Sequence, residues 1–253
     1  MSAPAITITT SWDDGHPLDL RLADLLSKYD LPATFYVPLV SERGVLSKAQ
    51  IRQLAARFEI GAHTIHHLPV THLPPEDAWR EIVDSRQAIR DITGAECRSF
   101  CFPWGKYQAP HLSMTREAGF TYARTVEMLS LDRPRSRAGI LVMPTTVQSF
   151  SHSASAMFRN IAKRAAFTNA FRWMLRSRRL DWVDLARTML HVAMQHGGVF
   201  HLWGHSWEIE EHQQWGRLEA IFRLLAPLRT SARFCTNSQV LSTDDLTAHP
   251  HRS

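Results

Sequence analysis

Short runs rich in β-branched and aromatic residues alternate along this chain with longer runs whose apolar positions recur at helical spacing. That order is expected of parallel strands joined by helical crossovers. Residues 5–10 (AITITT) read as a first strand, and a helix over 17–29 follows with Leu18, Leu22, Leu25 and Leu26 on one face. Thr34 to Pro38 (TFYVP) reads as a second strand. Ser47 and Gln50 have capping-box spacing at the start of a helix over 47–58, whose stripe is Ile51, Leu54, Ala55 and Phe58. Residues 59–63 (EIGAH) form a strand ending at His63, Pro74 and Pro75 open a long helix that Gly94 can close, and 99–102 (SFCF) is the next strand. A helix over 109–118, strands over 120–125 and near 139–143, a strand over 198–204, a helix over 210–226 and a strand over 232–235 complete the cycle.

Residues 151–196 break the rhythm, since a long helical stretch runs there without an intervening strand. They are read as an insertion on a single barrel domain spanning 1–253. Within it Arg159, Lys163, Arg164, Arg172, Arg176, Arg178 and Arg179 crowd among Phe158, Ile161, Phe167, Phe171, Trp173 and Leu175. Such a surface suits anionic lipid or a phosphate, and equally a solvated helix face packed through its aromatics.

A chain of 253 residues with 44% hydrophobic residues can bury one substantial core. The 29 Lys and Arg against 24 Asp and Glu leave a net charge of +5, which fits an acidic partner without requiring one. Cys97, Cys101 and Cys235 are odd in number and in no CxxC arrangement, so reduced, buried thiols are expected. The start MSAPAITITTSWDD lacks a basic segment leading into an apolar run, and no stretch approaches the roughly 18 apolar residues of a membrane span. A soluble, cytoplasmic protein is the expectation.

Candidate chemistry gathers at strand ends. Ser11-Trp12-Asp13-Asp14-Gly15 places two adjacent carboxylates after a strand and before a helix, at the strand's carboxyl end, where α/β folds build sites. Two ionised neighbours call for a cation nearby, although plain turn chemistry also accounts for Asp-Asp-Gly. His63-Thr64-Ile65-His66-His67 follows another strand; imidazoles four apart converge if the chain turns helically. His66 and His72 read as ordinary histidines. One carboxylate and two imidazoles leave positions open for water and substrate, as a catalytic zinc site needs. His205, at the end of the strand through His201, Leu202, Trp203 and Gly204, is the candidate acid, and Trp203 and Trp207 could stack on a sugar or serve the core.

These segments resemble the polysaccharide deacetylase family of carbohydrate esterases, from about Thr7 to Gly119 and again near Gly197–Glu208. The family's T-F-D-D-G motif is similar to Thr10-Ser11-Trp12-Asp13-Asp14-Gly15, and its H-[ST]-x-x-H motif to His63, Thr64 and His67. A third motif resembles Arg98 to Gly105. The resemblance implies a distorted (β/α) barrel, with Asp13 as catalytic base and Asp14, His63 and His67 as metal ligands. Pro103, Trp104, Gly105 and Tyr107 would lie at the oxyanion and substrate side, with a Trp104 backbone N–H for the oxyanion, Trp203 near the substrate, and His205 as acid. The Arg that contacts the base in that family falls here on Cys101, and Arg98, Lys106 or Arg124 are the cations that could take its place.

The implied activity is metal-dependent removal of an acetyl group from an N-acetylated sugar or glycoside, a cytoplasmic precursor that could be nucleotide- or lipid-linked. Zinc is the default ion, with cobalt, nickel or manganese as alternatives. Peripheral contact with an anionic membrane is a further expectation, and no nucleic acid is expected. The rival readings are hydrolysis of another C–N bond, such as a cyclic amide, on the same site, and a non-catalytic carbohydrate-binding homologue.

Overall fold

The computed structural model describes residues 5–151 and 181–241. In chain order the elements are β1 (Ile6–Asp13), α1 (Asp19–Lys28), β2 (Thr34–Val37), α2 (Lys48–Ala55), β3 (Glu59–Ala62), α3 (Pro75–Thr93), β4 (Ser99–Cys101), α4 (Ala109–Glu117) and β5 (Tyr122–Arg124). They continue with β6 (Arg135–Arg137), β7 (Ile140–Met143), β8 (Val147–Gln148), α5 (Trp182–His196), β9 (Gly198–Gly204), α6 (Ser206–Glu211), α7 (Trp215–Leu225) and β10 (Arg233–Phe234).

The strands form one curled sheet in the order β6-β7-β5-β4-β3-β2-β1-β9-β8, with β10 added on β1. Every pairing but β6 with β7 is parallel. This is the distorted (β/α) barrel that the family resemblance implies, opened into a half-barrel. Because the strands run parallel, the ends of β1, β3, β4, β5 and β9 share one rim.

The central strand β1 is flanked by β9 at Ile6–Trp12, by β2 at Ser11–Asp13 and by β10 at Thr7–Ile8. It is therefore buried on both faces, as parallel strands under helices are. Backbone partners on both sides carry β1 on through Asp13, past the end at residue 10 that turn chemistry suggests; the turn begins only at Asp14. Trp12, Phe35, Phe100, Phe200 and Phe222 are wholly buried around it, and side chains of this size contribute roughly 1.5–3 kcal/mol each.

The helix starts follow the expected chemistry. Ser47 Oγ accepts from Gln50 N (3.3 Å) while Gln50 Oε1 accepts from Ser47 N (2.8 Å), closing the capping box on α2. Pro75 occupies the first turn of α3, and Gly94 ends it in a left-handed conformation. The helix expected over 210–226 is instead two, α6 and α7, broken where Gln213 turns left-handed. Strands β6 and β8 were not legible: β6 is an exposed Arg-Ser-Arg edge and β8 only two residues long.

Of the stretch 151–196, the part 182–196 forms α5, which buries Trp182, Leu185, Ala186, Met189 and Leu190 in the main core. Asp181 caps it, accepting from Val183 N (2.8 Å) and Asp184 N (3.4 Å). The basic cluster Arg159 to Arg179 lies outside the described residues. Cys97, Cys101 and Cys235 are free and buried, as expected. Among the described residues no helix is long and apolar enough to cross a membrane.

Candidate active site

At the end of β1 the chain passes through Asp14 (φ 78°) and Gly15 (φ 58°). A Cβ on Gly15 would approach Val37 Cγ1 to 2.7 Å, so only glycine lets the turn lie against β2. This turn aims both carboxylates across the rim.

The loop after β3 does not turn helically. Thr64 (φ 65°) and His67 (φ 55°) are both left-handed, and this double turn, rather than helical spacing, brings the rings of His63 and His67 to 4.9 Å between centroids. Glu81 on α3 holds the loop: its Oε2 accepts from Ile65 N and His66 N (2.9 Å each), and its Oε1 meets His66 Nδ1 at 2.5 Å. Thr64 Oγ1 donates to the His63 carbonyl (2.6 Å). His66 is thus a structural residue, as its ordinary reading implies, while Glu81 carries no sequence signal because it lies on a separate helix.

His63 Nε2 and His67 Nε2 lie 3.5 and 3.0 Å from Asp14 Oδ1. His63 Nδ1–H donates to the Cys101 carbonyl (2.7 Å), which leaves Nε2 facing Asp14 as the ring's second nitrogen. Asp14 Oδ1 is buried and accepts no hydrogen bond, while Oδ2 accepts from Trp207 Nε1–H (2.8 Å). Three ligand atoms, one on each of Asp14, His63 and His67, lie within 4.8 Å of one another. Tetrahedral zinc with nitrogen and oxygen ligands separates neighbouring ligand atoms by roughly 3.3 Å. The residues fit a divalent cation, and the unsatisfied Oδ1 is the atom that asks for one.

Burial acts on Asp14 to raise its pKa, but the facing imidazoles of His63 and His67 and the charge of His205 overcome it and hold the carboxyl far below the usual range. A second grouping, Asp13, His63 and Cys101, also has ligand spacing. It is a poorer cation site, because Asp13 already carries a cation.

That cation is Arg124. Its Nη2 bonds Asp13 Oδ1, while Cys101 Sγ lies 3.9 Å from the other oxygen. Cys101 and Arg124 are register partners on β4 and β5, so the guanidinium reaches the same carboxylate from one strand further along. Arg124 is 1% exposed and lies over the rings of Trp203 (4.6 Å) and Tyr36 (5.2 Å). Of the three cations open to the sequence reading, the fold delivers this one; Lys106 points instead to His72 Nε2 (3.4 Å).

His205 stands at the end of β9 with Nε2 4.0 Å from Asp14 Oδ2. Its Nδ1–H donates to Glu208 Oε2 (3.2 Å), which also accepts from Gln148 Nε2–H (3.1 Å). Burial works against the charged ring, yet the Glu208 hydrogen bond and the charges of Asp14 and Asp13 raise its pKa. The i, i+3 spacing of His205 and Glu208 is the sequence signal that could have revealed this partner. Four residues earlier, within β9, His201 is wholly buried, with Ser11 Oγ–H donating to Nε2 (2.8 Å) and Nδ1–H donating to the Pro144 carbonyl (3.2 Å).

Trp104 sits at the mouth, 70% exposed, left-handed (φ 60°), its ring 6.1 Å from that of His67. Pro103 is buried beneath it, and Gly105 packs where a Cβ would lie 2.1 Å from Val126 Cγ2. Two side chains proposed for the substrate face elsewhere. Tyr107 stacks on Phe102 at 4.9 Å and donates to Glu127 Oε1 (3.4 Å). Trp203 is 5% exposed and covered by Arg124, so its face is not open to a sugar; burial in β9 decides this.

The polysaccharide deacetylase family model matches residues 2–123, which include Asp13, Asp14, His63, His67 and Cys101. YxkH of Bacillus subtilis (strain 168), assigned as a polysaccharide deacetylase, is 24% identical over 124 residues, 47% of this chain and 44% of that protein. The match thus spans less than half the length of that relative. Among solved structures, a Mycobacterium smegmatis protein assigned as a polysaccharide deacetylase superposes with TM-score 0.70 at 16% identity, covering 94% of this chain and 90% of that one. The Bc1960 peptidoglycan N-acetylglucosamine deacetylase gives 0.55 at 15%, covering 95% and 91%. The rim geometry and the matched motifs agree, and residues 2–123 of the chain are similar to the polysaccharide deacetylase family.

Proposed function

We propose that this protein is a divalent-metal-dependent deacetylase that removes the acetyl group from an N-acetylated sugar or glycoside. The observation that carries the reading is the orphaned Asp14 Oδ1 between two imidazole nitrogens, with an ion-paired Asp13 and a hydrogen-bonded His205 on the same rim. Asp14, His63 and His67 would hold a divalent cation, zinc by the ligand set and cobalt, nickel or manganese by alternative, which when bound would supply acidification of a water and polarisation of an acyl oxygen.

The chain's own groups supply the rest. Asp13, fixed by Arg124, accepts the proton of the attacking water. The left-handed turn at Trp104 presents backbone to the mouth, where its N–H is offered to the oxyanion. His205, oriented by Glu208, gives a proton to the departing amine, so the products are acetate and a free amino sugar. The substrate class agrees with that of a fold neighbour, the Bc1960 peptidoglycan N-acetylglucosamine deacetylase. The net charge of +5 favours an anionic form such as a nucleotide- or lipid-linked sugar. Cys101 in place of the expected arginine would by itself favour a non-catalytic homologue, but Arg124 pairs with Asp13 instead.

The test is acetate release from a panel of neutral, nucleotide-linked and lipid-linked N-acetyl sugars, with and without chelator. Activity should vanish with chelator and return with added zinc or cobalt. Asp13→Asn should bind metal as the wild type does yet lose about 10²–10⁴-fold in kcat. Undiminished turnover in Asp14→Ala/His63→Ala protein would refute the reading.

A further inference from the structure

Arg43 lies in the loop between β2 and α2, with its guanidinium carbon 3.8 Å from the ring centroid of Trp207. The same Trp207 donates its indole N–H to Asp14 Oδ2, so one side chain touches both the candidate metal ligand and the arginine. The loop is tied to the metal-ligand turn a second time, because Leu46 N–H donates to the Gly15 carbonyl (2.7 Å). Trp207 also lies 5.2 Å from the His205 ring. Arg43, Trp207 and His205 thus stand together beside the candidate centre.

No carboxylate engages the Arg43 guanidinium among the described residues. The arginine on the rim that does pair with a carboxylate, Arg124 with Asp13, is buried, whereas Arg43 is exposed. Stacking uses only the flat face of a guanidinium. The N–H groups along its edge stay available, and stacking fixes the plane in which they point. A planar fork held this way suits the bidentate geometry of a phosphate or carboxylate.

We propose that Arg43, clamped on Trp207, is a specificity residue that binds an anionic substituent, phosphate or carboxylate, carried by the N-acetylated sugar. The assignment rests on the deacetylase reading of the site and adds to it the charge that the substrate bears. Placement explains the choice: Trp207 fixes the distance from the acyl-binding centre to the fork, so the anion must lie on the reacting sugar or on the group attached to it.

The experiment compares kcat/KM for N-acetylglucosamine 1-phosphate, a carboxylate-bearing N-acetyl sugar and neutral N-acetylglucosamine oligomers in the wild type, Arg43→Gln and Arg43→Lys. An anionic substrate should be preferred by about tenfold or more, through KM, and the preference should collapse in Arg43→Gln and persist in part in Arg43→Lys. Whichever anionic arm shows the preference names the group. No preference in the wild type, or one unchanged in Arg43→Gln, overturns the assignment. Calorimetric binding of N-acetylglucosamine 1-phosphate separates the two ideas. Binding weakened in Arg43→Gln without turnover of any sugar removes the deacetylase reading and leaves the anion site; turnover indifferent to charge does the reverse.

Discussion

Arg124 and Asp13 are 0% and 4% exposed at their side chains, so their pairing belongs to the interior. A buried pair is weak evidence of stability as a whole, but removing one partner strands the other charge. Arg124→Gln should therefore lower unfolding free energy by about 3–5 kcal/mol in urea titrations, and a loss below about 1 kcal/mol would show that Asp13 has another partner. His201 makes a second prediction at this scale. Burial, with the nearby charge of Arg124, pushes its pKa down to about 3, below the ordinary value of 6.5. The unfolded chain then takes up the proton first, so the neutral ring's stability is fully present above pH ~6.5 and is lost as pH falls toward 3. Unfolding measured across that window should show a shallower pH slope in His201→Asn, whose amide can still donate and accept; identical slopes would sink the assignment.

Between residues and the whole, the loop after β3 shows how an element builds a site. Two left-handed residues cost free energy, and Glu81 offsets it by accepting two backbone N–H groups and meeting the His66 ring. Glu81→Ala leaves those donors unpaired, and zinc affinity measured by chelator competition should fall about 10–100-fold while His66→Ala falls less. Equal affinities in wild type and Glu81→Ala would show that the loop holds itself. The helix α6 does the corresponding work across the rim, Trp207 bonding Asp14 and Glu208 bonding His205 from one short segment. The ligand motifs were legible because they are local, each following a strand within five residues. Their supports were legible at most as alternatives, Arg124 as one of three cations and Glu81 not at all, since α3 and the β5 end reach the site only through tertiary packing, and the expected helix over 210–226 hid the break that frees α6.

At the scale of the molecule, the alternation of strand and helix was sufficient to foretell a parallel (β/α) arrangement, because a period of two and a period of 3.6 are each written along the chain. Sheet order was not written there. β1 and β9 are almost 200 positions apart in sequence, yet they pair from Ile6 with Gly198 to Trp12 with Gly204. This pairing is what brings His205 to Asp14, and the short β8 and exposed β6 finish the sheet with too few apolar positions to announce themselves.

The shared register of Cys101 and Arg124 has a consequence for how relatives are compared. Neighbouring positions of two parallel strands form one slot, which either strand can fill with the guanidinium. A column-by-column comparison scores this chain as lacking an arginine beside Asp13, although the slot is occupied. In homologues without arginine on the fourth strand, the compensating arginine is to be sought one strand over, and the two columns should vary in opposition.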